Sequence, residues 1–288
     1  MPVLFRRHRL SHFSRMDPVS EPKMVAMTDR FCRSQLRLLL TVLALIPSLA
    51  AAEALVAAHR GSVSQAPENT LAAFRWAEGV GADLVEADLR IGADGSLVVI
   101  HDVSVDRTTN GRGKVSDLSL GTLKDLDAGG GQPIPTMAEV LAFVRTSDLQ
   151  LLLDVKDSER IDAQTLVSAI KGQGVQQQVL IGSRSARLVG ALKTSAPELK
   201  VLAMIPDVDS LDEFIARDVD AVRLWARWAR KDPALVDAVR RAGAEVWLTT
   251  GNLKGKSLER AVRVADGVIT NRPGEALYLS QQHAPRAL

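Results

Sequence analysis

The stretch Asp83-Leu84-Val85-Glu86-Ala87-Asp88-Leu89-Arg90-Ile91-Gly92-Ala93-Asp94-Gly95-Ser96-Leu97-Val98-Val99-Ile100-His101 decides the fold. Its ends are two β-like runs, Asp83–Leu89 and Leu97–His101, separated only by Arg90-Ile91-Gly92-Ala93-Asp94-Gly95-Ser96. A parallel crossover needs about a dozen residues or more, whereas an Asp-Gly turn joins antiparallel neighbours directly. The second run is therefore the returning arm of a hairpin and not a further parallel strand.

That assignment sets the strand count. Other β-like runs lie at Leu55–His59, Leu149–Val155, Gln178–Ser183, Lys200–Met204, Asp220–Leu224, Glu245–Thr250 and Gly267–Thr270. Helical patterns alternate with them at Thr70–Glu78, Thr136–Val144, Ile161–Lys171, Arg187–Thr194, Leu211–Arg217, Pro233–Arg241 and Ser257–Val264, with Gly or Pro at many boundaries. Nine runs less the hairpin arm leave eight parallel strands, which predicts an α/β TIM (β/α)8 barrel with a short hairpin and loop insertion between strand 2 and the following helix. A doubly wound sheet stays open on pattern alone, although no glycine-rich dinucleotide fingerprint follows the first strand. Asp102–Pro135 is polar and glycine-rich, and loops of such length on compact domains are functional or mobile. It reads as a lid or insertion above the barrel mouth.

The first 52 residues differ from the rest. Arg30, Arg33 and Arg37 precede the apolar run Leu38–Ile46, followed by Pro47 and Ala50-Ala51-Ala52. This basic, apolar, small-residue order predicts a secretory signal cleaved after Ala52 and a periplasmic or secreted product, with a membrane-anchoring helix as the alternative. The basic stretch before Met24 and Met27 leaves either methionine open as the true start. Residues 1–52 thus form a signal peptide with an upstream basic extension, and residues 53–288 the barrel domain. Removing the segment takes 8 of 36 basic and 3 of 34 acidic residues, leaving 28 against 31. The mature chain is then near neutral, without the basic footprint of a nucleic-acid binder. It would also lose the single cysteine, Cys32, and carry no stable membrane insertion; oligomeric state is not legible.

Polar residues where strands call for apolar ones mark the chemistry. Glu86 and Asp88 are two apart, so they share one face of their strand, as do Asp154 and Lys156 on theirs. Val85, Ala87, Leu89, Leu153 and Val155 take the opposite faces. Carboxylates gathered inside a barrel need neutralising, and Glu86, Asp88 and Asp154 suit one hard divalent cation, Ca²⁺ or Mg²⁺. The alternative is simple pairing with Lys156 or an arginine. His59 and His101 each end a strand, and two imidazoles can supply a base for one oxygen and an acid for another. Arg60 offers a planar fork for a phosphate and Lys156 a second positive charge.

The set His59-Arg60-Gly61, Pro67-Glu68-Asn69-Thr70, Glu86-x-Asp88, His101-Asp102, Arg107-Thr108-Thr109-Asn110-Gly111 and Asp154-x-Lys156 resembles, in order and spacing, the glycerophosphodiester phosphodiesterase family. The resemblance spans about residues 55–279. It implies a TIM-like barrel that cleaves small-molecule glycerophosphodiesters to glycerol 3-phosphate and an alcohol with one divalent cation. It further implies Glu86, Asp88 and Asp154 as metal ligands, His59 and His101 as the acid/base pair, and Arg60 and Lys156 as phosphate anchors. Glu68, Asn69 and Thr70 are open between the edge of the site and a helix start, and the helix cap is favoured.

Departures accompany the resemblance. Asp154 stands where the family usually has Glu, which leaves direct and water-mediated ligation both open. Arg184 follows Ser183 where an aromatic is common, and Val246-Trp247-Leu248-Thr249-Thr250 replaces the usual Trp-Thr-x-Asn. Both bear on the alcohol pocket, for which Trp225 and Trp247 are candidates, with the core as their other reading. Rival activities are a barrel phospholipase of the phosphatidylinositol-specific C or sphingomyelinase-D type, and a non-catalytic phosphoryl-ligand-binding barrel. A 4% aromatic content and no evident amphipathic docking helix speak against interfacial work.

Overall fold

The computed structural model describes residues 53–283 apart from residue 62. The expected signal segment and Cys32 lie outside the described residues.

Nine strands form one sheet: β1 (Leu55–Ala58), β2 (Leu84–Ile91), β3 (Leu97–Val99), β4 (Gln150–Val155), β5 (Val179–Ser183), β6 (Lys200–Ala203), β7 (Ala221–Trp225), β8 (Glu245–Gly251) and β9 (Gly267–Thr270). Eight of them run parallel in the order β1-β9-β8-β7-β6-β5-β4-β2, and pairing of β1 with β2 closes the barrel. β3 is the exception. It pairs antiparallel with β2, Leu89 opposite Val99, as the short Asp-Gly connection requires. Gly95, at φ 81°, makes that turn.

Among the described residues ten helices alternate with the strands: α1 (Leu71–Gly79), α2 (Leu120–Lys124), α3 (Met137–Arg145), α4 (Ala163–Gln173), α5 (Ala186–Ser195), α6 (Leu211–Ile215), α7 (Ala226–Lys231), α8 (Ala234–Arg241), α9 (Gly255–Val264) and α10 (Pro273–His283). Side-chain caps begin several, including Thr70 on α1, a Thr136/Glu139 capping box on α3 and Ser185 on α5. Each satisfies N–H groups that the first helical turn leaves unpaired. The helices α2, α7 and α10 are absent from the sequence-based expectation. The first two are too short to show a period, and α10 begins with Pro-Gly. α10 seals the barrel by accepting β1 beside it, and the Ser280 hydroxyl donates to the Ala54 carbonyl at 3.0 Å.

Strand alternation sorts the core into two layers. Val85, Ala87, Leu89, Leu151, Leu153 and Val155 face outward to the helices. Leu84, Leu152, Leu202, Ala221, Trp247 and Ile269 fill the barrel interior below the mouth. Trp247 is thus a core residue, 1% exposed, with its indole N–H on Glu245. A Cβ on Gly267 would stand 2.5 Å from the indole, so only glycine lets that ring lie against β9.

The insertion after β3 is not an unstructured lid. Val105, Val115, Leu123, Ala128 and Ile134 are buried together with Val98 and Ile100 from the hairpin arm, forming an apolar core separate from the barrel. These residues are irregularly spaced among polar ones, so no period announced them. The Thr109-Asn110-Gly111 run is part of this scaffold: Thr109 Oγ1 accepts from the Gly111 N–H, and Asn110 Oδ1 from the Asp127 N–H.

Candidate active site

The inward positions of β2 and β4 just beyond the apolar plug carry charge. Glu86, Asp88 and Asp154 are 2%, 0% and 5% exposed, and one carboxylate oxygen from each lies within 4.8 Å of the others. Asp88 and Asp154 are register partners on adjacent parallel strands, so neighbouring strands of equal parity present them side by side. Lys156, two residues along β4, approaches Asp88 Oδ1 at 2.9 Å and pairs with Asp154 Oδ2.

The expected pairing and the expected convergence therefore coexist. Three buried carboxylates meet Lys156 and one guanidinium, Arg60, whose Nε lies 3.4 Å from Asp88 Oδ2. Burial, then the neighbouring Asp88, pushes the Glu86 carboxyl well above its ordinary range. Burial would raise Asp88 too, but Lys156, His101 and Arg60 outweigh it and hold that carboxyl low. Asp154 Oδ1 is enclosed without a hydrogen-bond donor, and Asp88 Oδ1 has Lys156 nearby but outside hydrogen-bond geometry. Oxygen donors with unused lone pairs and an excess of negative charge fit one hard divalent ion. Glu86, Asp88 and Asp154 are the residues that would hold it.

The turn after β1 brings His59 and Arg60 to the same mouth through strained backbone. Arg60 has φ 55° and Gly61 φ 78°, and a Cβ on Gly61 would sit 2.7–2.8 Å from Phe74 and Ala73 of α1. Left-handed backbone at a non-glycine residue is costly and persists where surroundings enforce it. Here the Arg60 N–H donates to Glu86 Oε2 at 2.8 Å, which locks the turn onto the carboxylate cluster. His59 Nε2 then lies 4.0 Å from Glu86 Oε2.

Both histidines are held at Nδ1. His59 Nδ1 is 2.6 Å from Asn271 Oδ1, and the Asn271 amide donates its own N–H to Asn252 at 2.8 Å. The oxygen facing His59 is an acceptor, so Nδ1 carries the proton and Nε2 has a free lone pair. Burial, and then Arg60, lowers the His59 pKa, favouring this neutral form. His101 Nδ1 is 2.7 Å from Asp102 Oδ1. Arg107 donates to both Asp102 oxygens, at 2.6 and 3.1 Å, and holds that carboxyl well below the usual range. That pairing engages Nδ1 and leaves Nε2 as the ring nitrogen available for proton exchange.

Of the residues left open between the edge of the site and a helix start, Glu68 and Asn69 belong to the site and Thr70 to the helix. Asn69 is not the helix cap; Thr70 is, accepting from the Ala73 N–H. Asn69, buried and at φ 59°, donates to Asp88 Oδ2 at 2.7 Å and accepts from the Asp88 N–H at 3.1 Å. Glu68 sits at the edge, linking Arg60 (2.9 Å) to Arg107 (2.7 Å). A continuous chain, His101–Asp102–Arg107–Glu68–Arg60–Asp88, thus ties the insertion to the barrel. Arg90 supports it from below, donating to the His101 carbonyl and to Asp157. The one hint in sequence was two polar residues, Glu68 and Asn69, immediately before the true cap. Nothing pointed to Asn271, 212 residues from its partner.

Comparison with known proteins agrees with this geometry. Residues 59–275 match the model of the glycerophosphoryl diester phosphodiesterase family. The chain is 34% identical over 237 residues to a glycerophosphodiester phosphodiesterase of Caldanaerobacter subterraneus subsp. tengcongensis, covering 78% of this chain and 97% of that one. Among solved structures, a glycerophosphodiester phosphodiesterase of Agrobacterium tumefaciens superposes with a TM-score of 0.67 at 28% identity, over 78% of this chain and 99% of that one. An Oleispira antarctica phosphodiesterase in complex with the product sn-glycerol-3-phosphate superposes with a TM-score of 0.71 at 26% identity, over 79% and 96%.

Proposed function

The chain belongs to the glycerophosphoryl diester phosphodiesterase family, and from that premise we propose that it hydrolyses glycerophosphodiesters to glycerol 3-phosphate and an alcohol, using one divalent cation, Ca²⁺ or Mg²⁺, and two histidines. The observation that carries this reading is the pair of imidazoles at the barrel mouth, each held at Nδ1 by a side-chain oxygen, with His59 Nε2 4.0 Å from Glu86 of the carboxylate cluster.

Their surroundings divide the work. His59, neutral with a free Nε2, takes the proton of the attacking hydroxyl as its oxygen bonds to phosphorus. His101, oriented by Asp102, gives an Nε2 proton to the departing alcohol oxygen as the P–O bond breaks. Where a vicinal substrate hydroxyl attacks first, a cyclic phosphate forms, and water opens it with the two roles exchanged. Arg60 and Lys156 stand beside the cluster to hold the phosphate oxygens. A bound cation would neutralise charge on those oxygens and lower the pKa of the attacking hydroxyl.

The test is hydrolysis of glycerophosphocholine in solution, and of phosphatidylinositol or sphingomyelin vesicles, with Ca²⁺, with Mg²⁺ and with a chelator. Activity on the soluble diester is expected, abolished by the chelator, with kcat falling on the order of 10²–10⁴-fold in His59→Ala and in His101→Ala. Full activity in either variant, indifference to the chelator, or a preference for vesicles overturns the reading.

Residues 1–52 are proposed to direct export, giving a periplasmic or secreted enzyme, on the strength of the basic, apolar and Ala-rich order at Arg30–Ala52. Mass spectrometry of the exported protein should find Glu53 as the first residue. Retention of the full chain inside the cell argues against it.

A further inference from the structure

Arg223 is 2% exposed, inside the barrel, and its Nη1 is enclosed without an acceptor. Among the described residues its guanidinium makes no ion pair and no hydrogen bond. It is aimed inward by strand parity: Ala221, two residues earlier on β7, belongs to the interior plug, whereas Val222 and Leu224 face the helices. In the barrel order β7 lies across from β2, which carries Glu86 and Asp88. Burying an unpaired guanidinium is expensive, and proteins retain such groups when something neutralises them.

The surroundings make matters worse for an empty site and better for an anion. The Arg223 guanidinium stacks over Trp225 at 4.7 Å, and that of Arg227, from the first turn of α7, lies 4.7 Å from the same ring. Burial, and then the charge of Arg184 just after β5, lowers the Arg223 pKa to about 10, partly opposed by the Asp154 carboxylate, with Arg227 adding to the lowering. Arg223 and Arg227 therefore share one ring, and Arg184, just after β5, is near enough to act on Arg223. Asp88 and Asp154 on the β2–β4 side pair with Lys156 and Arg60, Arg223 forms an ion pair with neither, and the scissile phosphate belongs with that cluster. A second anion must come from elsewhere on the ligand, and a planar fork suits a carboxylate or a phosphate.

We propose that Arg223, with Arg184 and Arg227, forms a second anion subsite that receives a carboxylate or phosphate carried on the alcohol half of the diester. The inference rests on the hydrolase reading and names its substrate class: glycerophosphodiesters of anionic alcohols. Trp225 orients the guanidiniums and does not serve as a cage for a quaternary ammonium, because two cations already occupy its ring.

The experiment compares kcat/KM for glycerophosphoserine and glycerophosphoglycerol phosphate, whose alcohols bear a carboxylate and a phosphate, with that for neutral glycerophosphoglycerol and cationic glycerophosphocholine. The wild-type protein should prefer the two alcohols that carry an anionic group, zwitterionic serine among them, over choline by about tenfold or more, the size of a charge-assisted hydrogen bond. In Arg223→Met, and in the surface variant Arg184→Ala, that ratio should fall toward one. Because the ratio is taken within one preparation, loss of folded protein cancels. A wild-type ratio at or below one, or a ratio that survives both variants, overturns the inference. Failure of the hydrolase reading looks different, since no diester is then cleaved. In that case calorimetric Kd values for the serine and choline diesters decide, and equal affinities or no binding overturn the subsite.

Discussion

Asn69 occupies a left-handed backbone position and spends its whole amide on Asp88, one group on the side chain and one on the peptide N–H. A carboxylate clamped in this way presents its remaining lone pairs in a fixed direction, which is how outer partners tune a ligand set. Asn69→Ala leaves the buried Asp88 N–H without an acceptor, at a cost of about 1–3 kcal/mol. It should also weaken divalent-cation binding roughly 10–100-fold, the usual effect of losing such a partner, as read by calorimetric titration with Ca²⁺ or Mg²⁺. An unchanged Kd would mean that Asp88 needs no clamp. Asn271 plays the matching part for His59. Neither asparagine could be distinguished from turn or cap residues in the chain, since the same amide chemistry serves both purposes. Glu86, Asp88, Asp154 and Lys156 were legible because charge on the inward face of a strand contradicts its local period.

Among the elements, β2 and β4 bring the acidic cluster together simply by pairing in register, Asp88 opposite Asp154. The insertion contributes differently. It carries Arg107, which grips Asp102 on one side and Glu68 on the other, and it holds that arginine in place with an apolar core of its own. Leu123→Ala should therefore cost about 2–5 kcal/mol locally, as for other buried leucines. Trypsin should then cut faster at Arg112 or Lys114, while kcat falls because His101 loses its fixed Asp102. An insertion that stays protease-resistant in this variant is not held by that core. The hairpin was readable from its turn, but the packing of the insertion was not, for its apolar residues meet only after the chain has folded back on itself.

For the molecule as a whole, the barrel places three buried carboxylates beside fewer paired cations, Lys156 and Arg60. A cation that binds only the folded state stabilises it by mass action, roughly 2.7 kcal/mol at a hundred times its Kd, with about 2–4 °C of Tm for each kcal/mol in a domain of this size. Thermal melts with and without Ca²⁺ or Mg²⁺ should show that rise, and Glu86→Gln should abolish most of it. A shift of equal size in the variant would place the ion elsewhere. The sequence by itself determined the β/α alternation, the hairpin that reduces nine strands to eight in the barrel, and the inward direction of the charged residues on β2 and β4. Those features follow from local periods and turn chemistry, which neighbouring residues alone dictate. Tertiary structure alone decided that Asn271 holds His59, that Asn69 clamps Asp88, that Glu68 joins two arginines, and that Arg223 is buried with no ion pair among the described residues. Such choices arise when barrel closure brings distant segments face to face, and no local pattern encodes which polar groups then meet.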